Sequence, residues 1–171
     1  MQKKTSSSST RSMKKDIAYL YMSYIWAVPT WDFFHSFATK IDSEFYSKNQ
    51  RACLNLIVQI CSVLPCPHCQ EHAAAFFNSG RLRNTKTKEQ LIQLLLGFNN
   101  DVNRRTGKPS LTLAHLQKYT NAHFINMTKQ FLFIFSQYKG TLGAGLSDSM
   151  GRKNMVISVR KWVNTNYMHF T

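Results

Sequence analysis

The chain's 171 residues suffice for one compact domain with an appendage, and a hydrophobic content of 43% with 13% aromatics lets it bury a core. Its 22 Lys and Arg against 8 Asp and Glu leave a formal charge of +14, but no zinc-finger spacing or RNP-like aromatic motif accompanies the charge, so nucleic acid is not the expected partner. No apolar run approaches the roughly 20 residues that cross a bilayer, and four cysteines are too few for a disulfide-stapled scaffold.

Residues 1–15, MQKKTSSSSTRSMKK, lack the apolar stretch of a secretory signal and read as a flexible basic tail. Asp16 to Ala27 contains the aromatic-rich IAYLYMSYIWA, expected to be helical, and Pro29 then breaks the pattern. Thr30 is the expected N-cap of a helix starting at Trp31, with Asp32 in its first turn. There Trp31, Phe34, His35 and Ala38 recur at helical spacing on one face. A second helix is expected over Asn49–Val63, with Cys53, Leu56, Ile57, Ile60 and Leu64 on one stripe, ended by Pro65. Cys66-Pro-His-Cys69 opens a third through Asn78, with Gly80 as C-cap. After the basic loop RLRNTKTK, Thr87 begins T-K-E-Q, similar to a capping box. The fourth helix carries Leu91, Leu94, Leu95, Phe98 and Val102 to near Gly107, and residues 112–119 offer a short fifth. This pattern predicts an all-α domain over residues 16–120, a four-helix bundle plus a short fifth helix. For the C-terminal extension, residues 121–171, a helix, a strand pair and a partner-binding arm all stay open.

The C-x-x-C carries the chemistry. At a helix N-terminus, unpaired N–H groups and the macrodipole stabilise a thiolate. Cys66 is therefore expected to be the exposed nucleophile, with Cys69 one turn further on, and a protonated His68 would add to the effect. Such a pair exchanges disulfides through a mixed-disulfide intermediate. A structural disulfide is an alternative, although so short a loop restrains the unfolded chain little. A zinc site would have to add His72 and Cys61, because there is no second C-x-x-C; no metal is assigned. Cys53 and Cys61, about 12 Å apart along one predicted helix, lie beyond disulfide reach and read as buried thiols.

Three blocks together resemble the Erv/ALR family of FAD-linked sulfhydryl oxidases over roughly residues 25–120. Trp31-Asp-Phe-Phe-His35-Ser-Phe-Ala38 is similar to W-x-x-L-H-x-x-A, and Leu64-Pro-Cys66-Pro-His-Cys69 is similar to Y-P-C-x-x-C. Asn99-Asn100-Asp101-Val102-Asn103, followed by Gly107-Lys108-Pro109, is similar to H-N-x-V-N-x-x-x-G-K-P. The resemblance implies a helical bundle gripping FAD, with Cys66 attacked by incoming dithiols and Cys69 next to the flavin. Electrons would then pass to O2, giving H2O2. It also implies that Trp31 and His35 line the flavin, that Asn100 and Asn103 bond the nucleotide and that Lys108 meets the pyrophosphate. The expected partners are a protein dithiol substrate or a thioredoxin-like thiol carrier, and a second copy in a homodimer.

The chain departs from that pattern in places. Asn99 replaces a histidine that would stack on adenine, and Val28 replaces a basic residue. Leu96 and Leu113 stand where many members carry an extra cysteine pair, and neither tail holds a shuttle cysteine. Such minimal members occur in large DNA viruses, which would place the protein in the host cytoplasm or virion. Another source would suggest the mitochondrial intermembrane space or a similar oxidising compartment. Two rivals are weighed against this reading: a thioredoxin-fold oxidoreductase using C-P-H-C, and a basic helical adaptor whose C-x-x-C is structural or binds zinc. The former needs a cis-proline strand facing the cysteines, whereas the one later proline, Pro109, sits in N-R-R-T-G-K-P.

Overall fold

The computed structural model describes residues 25–138 and 146–171. The helices are α1 (25–40), α2 (Ser43–Cys61), α3 (Pro67–Asn78), α4 (Lys88–Arg105), α5 (Leu113–Leu116), α6 (Phe124–Gln137) and α7 (Leu146–Asn166). Among the described residues there is no strand, only an isolated bridge between Ile41 and Phe170. No described helix is long and apolar enough to cross a membrane. The expected flexible tail and most of the 16–27 stretch lie outside the described residues.

Two boundaries differ from expectation. Helix α1 runs through Pro29 instead of starting after it. Pro29 cannot donate to the Ile25 carbonyl, and the Thr30 hydroxyl, far from capping a new helix, donates at 2.7 Å to the Trp26 carbonyl. Asp32 consequently stands inside the helix, where it accepts from the Tyr119 hydroxyl at 2.6 Å. Helix α2 starts at Ser43, not Asn49, because Asp42 caps it by accepting from the Phe45 N–H at 2.7 Å. Asn49 marks a kink within α2 (φ −117°, ψ 17°), and its side chain donates to the Phe45 carbonyl.

The other ends follow the sequence signals. Thr87 and Gln90 form both halves of a capping box on α4. Gly80 follows α3 with φ 83°, a left-handed conformation that suits glycine. The basic loop behind it is held to α2: the Thr85 carbonyl accepts from the buried Tyr46 hydroxyl at 3.1 Å and from Gln50 at 2.5 Å.

The residues after 120 are helical and share the core. Phe131 of α6 stacks on Phe33 of α1 with centroids 4.7 Å apart. Met155, Val159 and Val163 of α7 belong to the same buried cluster as Ile57 and Leu95. The last residues return to the α1–α2 junction, where Phe170 stacks on Phe124 at 4.0 Å and the Thr171 N–H donates to the Lys40 carbonyl. Each fully buried aromatic here is worth roughly 1.5–3 kcal/mol by area. Aromatic contacts between α1, α6 and α7 thus back the bundle and leave the other ends of α1, α3 and α4 to build a site.

Candidate active site

Cys66 is the N-cap of α3 and Pro67 its first residue, the position where a missing N–H costs nothing. The Cys66 carbonyl accepts from the Cys69 and Gln70 N–H groups, and its sulfur accepts from the Cys69 N–H at 3.2 Å. Gln70 reaches back to the Leu64 carbonyl at 2.7 Å, fixing the approach to the helix. Cys66 and Cys69 are joined in a disulfide with Cα atoms 5.1 Å apart. The exposure differs from the sequence expectation. Cys66 is only 6% exposed, while the partly buried Cys69 borders a cavity of about 230 Å³. Leu64 and Pro65 are buried just before Cys66, so the cap position sits inside the packed end of the bundle.

That cavity is walled by Trp26, Trp31, Phe34, Leu64, Phe98 and Val102, with His72 and Arg105 as polar members. Its aromatic lining suits a planar ring system beside Cys69. Trp31 stacks on His35 at 5.9 Å and meets the Phe98 ring at 5.2 Å. Behind it, His35 is buried, and its Nε2 accepts from the Asn99 amide at 2.9 Å. Burial first, and the Lys118 charge second, lower His35 to about 4, so it is neutral at neutral pH. Neutral imidazole with Nε2 accepting carries its proton on Nδ1, and that buried atom has no partner. An unmet buried donor costs about 1–3 kcal/mol. A ligand oxygen or nitrogen would remove that cost.

The remaining expected residues are distributed around α4. Asn100 grips the following loop twice, donating to the Leu111 carbonyl at 2.8 Å and accepting from its N–H at 2.7 Å. Asn103 donates to the Pro109 carbonyl at 3.0 Å, and its own carbonyl accepts from the Lys108 N–H. Gly107, at φ 69°, makes this turn possible. Lys108 lines an open polar cleft of about 730 Å³ with Arg81, Asn100, Asp101 and Arg104. Cavity residues Phe98, Val102 and Arg105 and cleft residues Gly97, Asp101 and Arg104 occupy α4 faces roughly a third of a turn apart, with Lys108 in the turn just beyond the helix end. The structure therefore brings Trp31, His35, Asn99 and Cys69 together and sets Asn100 and Lys108 round the helix from them.

Sequence reasoning passed over two partners. His72, weighed only as a zinc ligand, bonds Asp101 at 2.5 Å and lines the cavity. Tyr119, which faces the His35 ring at 5.5 Å, carried no motif at all. The spacing of His72 one turn after Cys69 was the available signal for the first. Among the described residues, no group of three or more His, Cys, Asp or Glu is placed to hold a metal.

No solved structure matches the chain. A protein of Invertebrate iridescent virus 3, assigned by its name to the FAD-linked sulfhydryl oxidases (096R), is 30% identical over 88 residues, which cover 51% of this chain. The match spans 60% of that relative's length. A model of the Erv1/Alr family matches residues 28–131, which take in most of α1, all of α2 to α5, the disulfide and most of the cavity wall, and the chain belongs to that family.

Proposed function

We propose that the chain is a sulfhydryl oxidase that uses the Cys66–Cys69 disulfide to oxidise protein dithiols, with FAD as its cofactor. The observation that carries the reading is the placement of that disulfide at the start of α3, with Cys69 facing an aromatic cavity. The residues present fit the cofactor. Trp31, Phe98 and Val102 offer an apolar, aromatic-walled slot, and behind it His35 Nδ1 is a buried donor without a partner. Asn99, Asn100 and Asn103 shape the nucleotide side through His35 and the 107–111 loop, and Lys108 offers the pyrophosphate a cation. When bound, FAD would take two electrons from the dithiol and deliver them to O2, giving H2O2.

The chain's own part is thiol–disulfide exchange. A substrate thiolate attacks Cys66, whose amide-capped sulfur stands at the positive end of α3. Cys69 is released as a thiolate into the cavity. A second substrate thiolate then attacks the mixed disulfide, frees Cys66 and leaves the substrate oxidised. The pair meets its substrate, a protein dithiol or a thiol carrier, directly at Cys66. The iridescent-virus relative's name supports the class of reaction. The test is to purify the chain and feed it dithiothreitol in an oxygen electrode. A yellow protein that consumes oxygen and makes peroxide supports the reading; a colourless, inert one that binds zinc overturns it.

A further inference from the structure

Asp101 stands where the two faces of α4 meet. It lines the open cleft, yet its Oδ2 accepts from His72 Nε2 at 2.5 Å, and His72 lines the cavity that holds Cys69. His72 follows Cys69 by three residues on α3, a spacing that puts both side chains on one helix face. The His72 side chain is only 13% exposed. With Nε2 committed to the carboxylate, Nδ1 is the ring nitrogen left for the cavity. Asp101 is itself fixed from α4, where Arg104 donates to its other oxygen. The hydrogen bond from His72, with the Arg104 charge assisting, holds the Asp101 carboxyl below the usual carboxylate range. The other charged groups around the ring are Arg105 from α4 and, on α3, His68 paired with Glu71 at 3.4 Å on the exposed side. From α1 the cavity receives Trp26, Ala27, Thr30, Trp31 and Phe34, none of which titrates near neutrality.

We propose that Asp101 and His72 form a dyad that stabilises the Cys69 thiolate: Asp101 orients the ring, and His72 in its imidazolium form offers the Nδ1 proton to the Cys69 sulfur. The inference rests on the reading of Cys66–Cys69 as the redox pair and deepens it. When a substrate thiolate attacks Cys66, a bond forms between the substrate sulfur and Cys66 Sγ, the Cys66–Cys69 bond breaks, and the electron pair leaves on Cys69 Sγ. The substrate thiol's proton goes to solvent, and the new negative charge on Cys69 is met by His72. The disulfide is the oxidant in this half-reaction. In this dyad His72, which shares the cavity wall with Cys69, is the group that would meet the reacting sulfur, and Asp101 is a positioning residue that acts through it.

The test reads the thiol itself. The full-length flavin-loaded chain is reduced with a phosphine under nitrogen and treated with iodoacetamide over a range of pH, and Cys69 alkylation is followed by peptide mass spectrometry. His72→Ala and Asp101→Asn are each expected to slow Cys69 alkylation at neutral pH roughly tenfold and to move its midpoint upward, because an imidazolium neighbour favours the thiolate. Asp101→Glu is expected to restore most of the rate, which a merely structural link between α3 and α4 would not explain. Should His72→Ala fail to fold, His72→Gln keeps the bond to Asp101 without the positive charge. Equal Cys69 profiles in all folded variants overturn the dyad, as does a shift with the His72 variants that Asp101→Asn lacks. Oxygen consumption is measured separately. Normal turnover with unmoved profiles sinks the dyad alone, and moved profiles without turnover sink the oxidase reading alone.

Discussion

Helix α2 and the N-terminus of α3 each hold two cysteines, and their surroundings treat them in opposite ways. Cys53 and Cys61 are free and buried in the core beneath aromatic and aliphatic neighbours. Burial pushes the Cys53 thiol up to about 12 and raises Cys61 as well. Neither can become a thiolate under ordinary conditions, and both act as small hydrophobes. Cys66 and Cys69, a few residues later, stand at a helix start, where the Cys69 N–H donates to the Cys66 sulfur, and Cys69 borders a cavity. The same side chain is inert in one place and poised in the other because local dielectric and the helix end set thiolate stability. Reactivity here is a property of position.

The largest expected effect falls on the poised pair. Cys69→Ser or Cys66→Ser should bring dithiol oxidation down to the uncatalysed rate in an oxygen electrode, with the flavin still bound. Retained turnover in either variant would place the redox centre elsewhere.

Next comes the buried histidine behind the cavity. His35 is lowered from 6.5 to about 4, so the unfolded chain takes up its proton more readily than the folded one. The associated stability is fully present above about 6.5 and is lost as pH falls toward about 4, amounting to roughly 3 kcal/mol. Urea midpoints measured at both ends of that window should fall more in the wild type than in His35→Gln. Equal falls would mean that His35 is not held neutral by burial.

A smaller effect tests the cap on α4. Thr87→Ala should cost about 1 kcal/mol in urea unfolding, through the lost bond to the Gln90 N–H. It should leave the rate of dithiol oxidation alone.

The smallest falls on the other side of the comparison. Cys53→Ala should cost at most a few kcal/mol of stability through its cavity and should not change turnover. In the native protein, Cys53 and Cys61 should resist iodoacetamide while the reduced Cys69 reacts. A loss of activity with normal stability would give α2 a redox role that its burial argues against.

Much of this was legible in the chain. The apolar stripe of α2, the capping box of Thr87 and the proline-led start of α3 each rest on local rules, and each stands where those rules put it. The early failures have local causes too. Asp42 caps α2 upstream of Asn49, so the helix is already formed when the chain reaches that residue, and α1 continues through Pro29 with the Thr30 hydroxyl bonded back to the Trp26 carbonyl. The C-terminal helices could not be settled from pattern because their partners are Phe33 and other distant α1 residues, and such contacts have no local signature. For the site, motif order brought out Trp31, His35, Cys69 and Asn99 together. It could not show that Lys108 lines an open cleft, that Asn100 and Asn103 brace a loop, or that Cys66 is the more buried residue of the pair. Those depend on which way round α4 and the start of α3 are packed.

The central claim is that electrons from a dithiol reach the flavin through Cys69. Mixing the flavin-loaded chain with excess dithiothreitol under nitrogen, and following the visible flavin band, tests it most directly. Rapid bleaching in the wild type, absent in Cys69→Ser on the same timescale, is the predicted result. Bleaching at the same rate in both would contradict it.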